Sequence, residues 1–402
     1  MRVLIVGAGI AGLAAARGLL GAGHTVTVLE RATALRDGGC AIILWSNGMT
    51  VLGDLGVRVD GLGRRIDALD VRSARGRPVM VLDIGRLETR FGAPTAVIPR
   101  RSLIARLAEG LPEGTVRFGA RFARLHDDGR SVRVATDDGT EYSGDLLIGA
   151  DGAHSGVRAA LFGPGSGSRG GSGAPPTGTA TWQGLIPAPF DLGSRCLLFL
   201  GRTSQVGLNP AGDGLVQWLI DVPWGPNDGF DRPDHALAAL RARYGGWAPP
   251  VRELLSALSE TDLDVFPHHR HRPPFQWGRG RCVLIGDAVH TMPPMLAQGA
   301  GQALEDVSAL LRGLADADHA SISGAAAGQG AGPDPAVALR SYARSRRRQA
   351  ALASSVATRS LATSGPRTAF QSEAGLRAGS VMPGRLATAS FGLLMRGVSG
   401  RL

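Results

Sequence analysis

The run Gly7-Ala8-Gly9-Ile10-Ala11-Gly12 is suited to one kind of chemistry, the bringing of backbone N–H groups against a phosphate. The first glycine permits a tight turn, the second lets a pyrophosphate approach the backbone, and the third lets a helix pack closely on a strand. The phosphates then sit at the positive end of the following helix. Glu30, with Arg31 after it, closes the next apolar run. A carboxylate there can accept from an adenosine ribose and would repel a 2′-phosphate, which points to FAD or NAD rather than NADP. Further along, the apolar run Cys282–Ile285 ends on Gly286-Asp287, and Gln298-Gly299-Ala300-Gly301-Gln302 precedes apolar residues at helical spacing. An acid at the carboxyl end of a buried strand lies where open α/β sheets bind their ligands.

These residues need particular elements beneath them. Arg2–Val6 is a continuous apolar run with β-branched residues, which reads as a buried parallel strand rather than as the core of a signal peptide. Leu13, Ala16, Leu19 and Leu20 recur at helical spacing until Gly21 and Gly23, and Thr25–Glu30 alternates as a second strand. Short β-like runs at 66–72, 79–84, 179–186, 196–200, 205–208 and 215–222 predict a sheet-based second unit, with helices over 234–244 and 251–258. The stretches 163–178 and 320–335 are low-complexity and read as mobile loops.

Two longer motifs make a resemblance specific. Asp145-Leu146-Leu147-Ile148-Gly149-Ala150-Asp151-Gly152-Ala153-His154-Ser155-Gly156-Val157-Arg158 resembles the "GADG…S.VR" motif of class A flavin-dependent aromatic monooxygenases. The segment from Gly286-Asp287-Ala288-Val289-His290 through Pro293-Pro294 to Gln298–Gln302 resembles their "GDAAH…P…GQG" signature. The likeness covers roughly residues 1–360 and is nearest to the single-component salicylate-, urate- and tetracycline-type hydroxylases.

The resemblance implies an α/β fold: a Rossmann-like FAD-binding domain, an interleaved substrate domain on a mostly antiparallel sheet, and C-terminal helices. It places the FAD-binding domain at 1–65, 99–165 and 266–319 and the substrate domain at 66–98 and 166–265. A flexible loop at 320–335 and a basic C-terminal helical segment at 336–402 complete the chain. FAD is the implied cofactor, NADH or NADPH the transient electron donor, and O2 the cosubstrate. A flavin C4a-hydroperoxide would hydroxylate or epoxidise an electron-rich aromatic or polycyclic small molecule. A flavin reductase or a non-catalytic flavin-binding protein of the same fold are the alternatives.

The implied cofactor residues are Gly7, Ala8, Gly9, Ile10, Ala11, Gly12, Glu30, Arg31, Arg100, Phe122, Asp151, Gly286, Asp287, Ala297, Gln298, Gly299, Ala300 and Gly301. Among these, Asp287 would meet ribityl hydroxyls, the helix after Gln298 the flavin N1 and C2 carbonyl, and Arg100 (or Arg101, one register along) the flavin. Phe122 would meet the adenine through its backbone, and Asp151 and Arg158 would serve both flavin and nicotinamide binding. Three positions depart from the family: Ala297 and Gln183 stand where it carries Gly and Arg, and His271 where it carries Asp. Ala297 is tolerable if its φ is negative. Trp45, Trp182, Gln183, Trp218 and Met295 are substrate candidates by their order alone, Trp182 and Trp218 being more often core. No catalytic acid or base is evident. The cluster His268-His269-Arg270-His271 lacks metal-ligand spacing and reads as polar strand-end surface.

Composition sets outer limits. The 402 residues are 44% apolar and 19% charged, enough for a large core. Cys40, Cys196 and Cys282 form no CxxC pair or disulfide scaffold, which suits a cytoplasmic enzyme. No apolar run is long enough to span a membrane. The net charge is +10 with no lysine, and residues 336–402 hold eleven Arg against one acid, Glu373. The rest is neutral, which argues against a nucleic-acid partner. The expectation for this tail is a solvated helix over 336–357, with Leu339, Tyr342 and Ala343 turned inward and Arg346, Arg347 and Arg348 dispensable.

Overall fold

The structure is a computed structural model describing residues 1–163, 174–225, 235–271, 276–326, 335–361 and 383–402. Most of the first low-complexity stretch, half of the second, and Arg272 lie outside these residues.

A six-stranded sheet has the order β18 (Gly278–Arg279), β19 (Cys282–Leu284), β12 (Leu146–Gly149), β1 (Arg2–Val6), β2 (Thr25–Glu30) and β8 (Val116–Phe118). All its pairings are parallel except β18–β19. Parallel strands are buried on both faces, which is why β1, β12 and β19 read as unbroken apolar runs. The chain passes from β1 to β2 on one side and later to β12 on the other. Such a reversal opens a crevice at the carboxyl ends of the strands. Gly7 N donates to Leu29 O and Ala150 N to Val6 O, both at 2.8 Å, so both glycine-rich turns leave the sheet there.

A seven-stranded sheet has the order β17 (Asp264–His269), β13 (Pro176–Pro187), β16 (Leu215–Pro223), β15 (Gln205–Gly212), β14 (Arg195–Leu200), β5 (Ala68–Ser73) and β6 (Pro78–Asp83). It is antiparallel except for the β14–β5 pair, which refines the expected sheet to a mixed one. Side chains alternate across it. Trp182, Phe199, Val206, Leu208, Trp218 and Ile220 face the helices Ala236–Tyr244 and Pro249–Ala257 in one core cluster. The opposite face carries Thr181, Gln183, Gln205, Gln217, Leu219 and Asp221 and turns toward the cofactor side. There Gln217 Nε2 donates to Ala41 O at 2.7 Å.

Two small antiparallel sheets complete the strands: β11 (Glu141–Gly144), β10 (Val132–Thr136) and β9 (Phe122–Asp127), and β3 (Ala41–Leu44), β7 (Ala96–Pro99) and β4 (Arg64–Arg65).

Several elements outrun their sequence signals. The helix Gly299–Ala326 continues into the low-complexity stretch expected to be a loop, and β13 starts inside the other. Neighbouring elements supply the order that composition alone does not. The tail helix runs Pro335–Leu361, and a further helix, Gly384–Val398, lies in the same basic segment. Strand β17 crosses the boundary placed between residues 265 and 266.

Candidate cofactor cleft and substrate chamber

The three glycines divide their tasks measurably. Gly7 has φ 104°, a left-handed conformation that favours glycine. A Cβ on Gly12 would lie 1.9 Å from Gly7 O, so this glycine lets the turn and the helix Ile10–Gly21 touch. A Cβ on Gly9 would meet nothing within 4 Å. That open space faces the helix N-terminus, which has no side-chain cap, leaving its first N–H groups for a ligand. Glu30 stands at the same mouth, its Oε2 accepting from Ala8 N at 2.8 Å and its Oε1 from Ala32 N at 2.9 Å. Arg31 is exposed beside it.

The second motif is held by its own carboxylate. Asp151 accepts from Ser155 Oγ at 2.5 Å and from Val157 N at 3.0 Å, and burial raises its pKa despite these bonds. The Phe122 ring packs on Gly156, where a Cβ would come within 3.1 Å of it. Buried Arg158 donates to Ala288 O at 3.2 Å and Val289 O at 3.0 Å, joining the second motif to the third.

In the third motif Gly286 has φ 60°, and a Cβ there would press on Ala303 and Ala11 at 3.2 and 3.3 Å. The first and third motifs therefore meet at this point. Asp287 is open to solvent yet ringed by protein atoms, as on the floor of a cleft. That crowding raises its pKa, while His290 and Arg100 pull it back. Arg100 is half-buried, and burial with Arg36 lowers its pKa against the pull of Asp287. Its Nε is buried without a hydrogen-bond partner among the described residues. A buried donor left unsatisfied in a cleft calls for an acceptor from a ligand. Together with the open space at Gly9, it leaves both room and a donor for a dinucleotide in the cleft.

Ala297 has φ 49°, not the negative φ that would make it tolerable. The turn is clamped around it: Trp45 Nε1 donates to Leu296 O at 3.0 Å, and Gln302 N to Gln298 O at 2.8 Å. A Cβ on Gly299, which opens the following helix, would meet nothing within 4 Å. Buried Gln298 accepts from Asn47 Nδ2 at 3.0 Å and donates to Met395 Sδ at 3.5 Å, while Gly301 lies against Asn47.

Behind this turn lies a buried ionic network without a forecast in the sequence. Arg346, 3% exposed, donates to Glu305 Oε2 at 2.5 Å and to Asp306 Oδ1 at 2.9 Å, so it does not belong to the solvated face expected of the tail. Glu305 also accepts from Asn47, Ser399 and Gly400 N. Burial alone would raise Asp306, but His290, Arg346 and Gly286 N–H outweigh it and hold its pKa below the ordinary range. Adjacent acids on an apolar helix and a surplus of arginine in the tail were the available signal.

The substrate candidates part company. Trp182 and Trp218 are fully buried against the helices. Gln183 lies half-buried on the opposite face, between the Gln205–Asp221 row and the Gln217–Asn209 row. Met295 Sδ lies 4.0 Å from Gln205 Nε2, and Trp45 packs on Phe391 with ring centroids 5.1 Å apart. The Met295 turn therefore lies against the polar face of the sheet.

The histidine cluster is not surface. His268 and His271 are buried, and His271 Nε2 lies 3.1 Å from Ala153 O. The backbone alternation of β17 and its covering loops turns them inward. No group of three or more metal-ligating side chains occurs among the described residues. The three cysteines are buried and unpaired, and burial lifts Cys40 to about 11 and Cys196 and Cys282 to about 12. No helix among the described residues is long and apolar enough to cross a membrane.

A parallel sheet ending in a glycine-rich turn, with a second sheet beside the cleft, defines a dinucleotide-binding protein. Residues 1–330 match the FAD binding domain family. The chain is 32% identical over 317 residues to the FAD-dependent urate hydroxylase of Klebsiella pneumoniae, covering 77% of this chain and 80% of that one. It is 35% identical over 326 residues to the 3-amino-4-hydroxybenzoate 2-monooxygenase of Streptomyces cremeus, covering 77% and 78%. The crystal structure of Klebsiella pneumoniae HpxO with FAD and uric acid superposes with a TM-score of 0.85 at 28% identity, over 99% of this chain and 97% of that one. The chain belongs to the FAD binding domain family. It is an FAD-dependent monooxygenase, with NAD(P)H and O2 as the electron donor and cosubstrate of its class.

Proposed function

We propose that this monooxygenase hydroxylates an uncharged, electron-rich aromatic molecule held between the Met295 turn and the polar face of the seven-stranded sheet. One observation carries the reading: β13, β15 and β16, which form that face, contain no arginine, and no lysine exists in the chain. A benzoate-type carboxylate laid against these three strands would find no side-chain cation on them, at a cost of several kcal/mol. Gln183 and Gln205 offer neutral hydrogen bonds, and Leu219 and Met295 offer apolar contact. The relatives' names point to aromatic substrates as well.

In this reading the first turn of the helix Ile10–Gly21 holds the pyrophosphate across Gly9. Glu30 takes the adenosine ribose, with Arg31 and the Phe122 backbone at the adenine. Asp287 takes the ribityl chain, and Ala297–Gly301 and Arg100 border the ring system. Asp151 keeps the second turn in place. FAD, when bound, supplies oxygen activation using electrons from NAD(P)H. Arg100 and the positive end of the helix Gly299–Ala326 place favourable potential where negative charge collects. The sheet excludes water from the chamber. Three buried free thiols suit a reducing cytoplasm as the place of work.

The test is NAD(P)H oxidation under labelled O2 with a panel of phenols and naphthols, followed by product mass. Stimulated oxidation with one labelled oxygen in the product is expected. Turnover that persists without oxygen would show a reductase instead.

A further inference from the structure

The polar face of the seven-stranded sheet carries an ionisable group without a task in the reading above. Asp221 is 3% exposed. Across the ladder it faces Thr181 on β13 and Gln205 on β15. Its Oδ2 accepts from Gln205 Nε2 at 2.6 Å, and its Oδ1 accepts from Thr181 Oγ in a short bond. Thr181 Oγ also lies 2.6 Å from His268 Nε2, and His268 Nδ1 lies 2.9 Å from Thr179 Oγ.

The titratable groups around Asp221 are His268 of β17, with Nε2 at 4.0 Å, and Tyr244 of the helix Ala236–Tyr244. Burial draws His268 down to about 4, so it is neutral near pH 7 and supplies no countercharge. Burial also raises the Asp221 carboxyl, against the bonds from Thr181 and Gln205. This carboxyl therefore titrates nearer to neutrality than an ordinary one.

Gln205 is its link to the Met295 turn, half-buried and with Nε2 also 4.0 Å from Met295 Sδ. A primary amide is a donor at one end and an acceptor at the other. Ionised Asp221 can only accept, so the Gln205 NH2 must face it and Oε1 is the end left for another partner. Protonated Asp221 has an O–H to donate, and a half-turn of the amide lets Oε1 receive it while the NH2 is freed. One proton taken from solvent changes the end presented: the N–H bond from Gln205 to Oδ2 is exchanged for an O–H bond from Asp221 to Gln205 Oε1, and the Thr181 bond to Oδ1 is kept.

We propose that Gln205 is a specificity-determining residue and Asp221 its positioning residue. Ionised Asp221 fixes Gln205 as an acceptor for a ring bearing O–H or N–H, and protonated Asp221 turns it into a donor. The inference rests on the reading that the chamber beside Met295 takes the aromatic ring.

The FAD-loaded enzyme and its Asp221→Asn and Gln205→Leu variants are titrated with 1-naphthol and with its methyl ether, binding being read from the flavin absorbance. Between about pH 5 and pH 9 the parent should prefer the naphthol by about tenfold at the alkaline end, the worth of one hydrogen bond, and lose that preference toward acid. Asp221→Asn should make the preference independent of pH, and Gln205→Leu should abolish it. A pH-dependent preference surviving in Asp221→Asn, or an undiminished one in Gln205→Leu, overturns the proposal.

Infrared difference spectra against pH need no ligand and no folded Asp221 variant. In the parent, the side-chain amide band assigned by its loss in Gln205→Leu should shift together with a protonated-carboxyl band. An amide band indifferent to that titration overturns the coupling. Failure of oxygen incorporation with intact infrared coupling would instead deny the monooxygenation of phenols, so the two failures are distinguishable.

Discussion

Arg346 Nε donates to Asp306 Oδ1 at 2.9 Å, and the other oxygen of that carboxylate accepts from Gly286 N at 2.8 Å and His290 Nε2 at 2.5 Å. A residue of the basic tail thus braces the turn that presents Asp287. The tail helix is thereby tied to the Gly286 turn, whatever its charge does in solution.

Replacing Arg346 with Gln should therefore be severe. It leaves buried Glu305 without its cation and buried Asp306 with only His290 and Gly286 N, a change that costs about 3–5 kcal/mol. Thermal unfolding and flavin content after gel filtration should fall together. Arg344→Gln and Arg348→Gln, on exposed positions of the same helix, should change stability by less than about 0.5 kcal/mol. Equal effects at all three positions would contradict the bracing role.

The two inner glycines of the first turn should fail differently. Gly9→Val puts its side chain into space that no protein atom occupies, so the chain should fold with near-parental stability and lack flavin colour. Gly12→Val collides with Gly7 O and should unfold outright. Absorbance near the flavin bands and a melting curve distinguish the outcomes. Full flavin in Gly9→Val would remove the pyrophosphate from this loop. Asp287→Ala, on the cleft floor, should weaken flavin retention and product formation together.

Ala297→Gly should stabilise the turn. A left-handed Ala costs about 1 kcal/mol relative to an allowed conformation, and glycine removes that strain while adding some unfolded-state entropy. The expected net gain is a few tenths of a kcal/mol, read from the denaturation midpoint. A clear loss would mean that the Ala methyl packs on its surroundings more strongly than the strain opposes it.

Acid should destabilise the protein through His268. Its folded pKa, drawn from 6.5 to about 4 by burial, lies below that of the unfolded chain. The unfolded state therefore binds a proton first, and stability falls as pH drops from about 6.5 toward about 4. The full shift corresponds to about 3 kcal/mol. His268→Gln should flatten that part of the stability curve measured by urea unfolding. An unchanged slope would assign the acid lability to other groups.

The three cofactor motifs were legible in the residues because each is local. Gly7 to Gly12 is a strand end, a turn and a helix start in six consecutive positions, and its constraints are steric ones between near neighbours. The seven strands of the second sheet were likewise foreshadowed by apolar runs, apart from β17, which carries the histidines.

Other properties depend on partners far along the chain. Which face Trp182 and Gln183 take was decided by the pairing of β13 with β16 and by the helices that cover one side of the sheet. Whether Arg346 is solvated or buried was decided by its packing against Glu305 and Asp306, forty or so residues away. His268 and Asp221 became a pair only when two strands bracketed Thr181. The sequence by itself determined the turns that cradle a dinucleotide, because backbone sterics act within a few residues. Only the tertiary structure decided the polar sheet face and its charges, because strand register and burial set which side chains meet and what ionisation costs them.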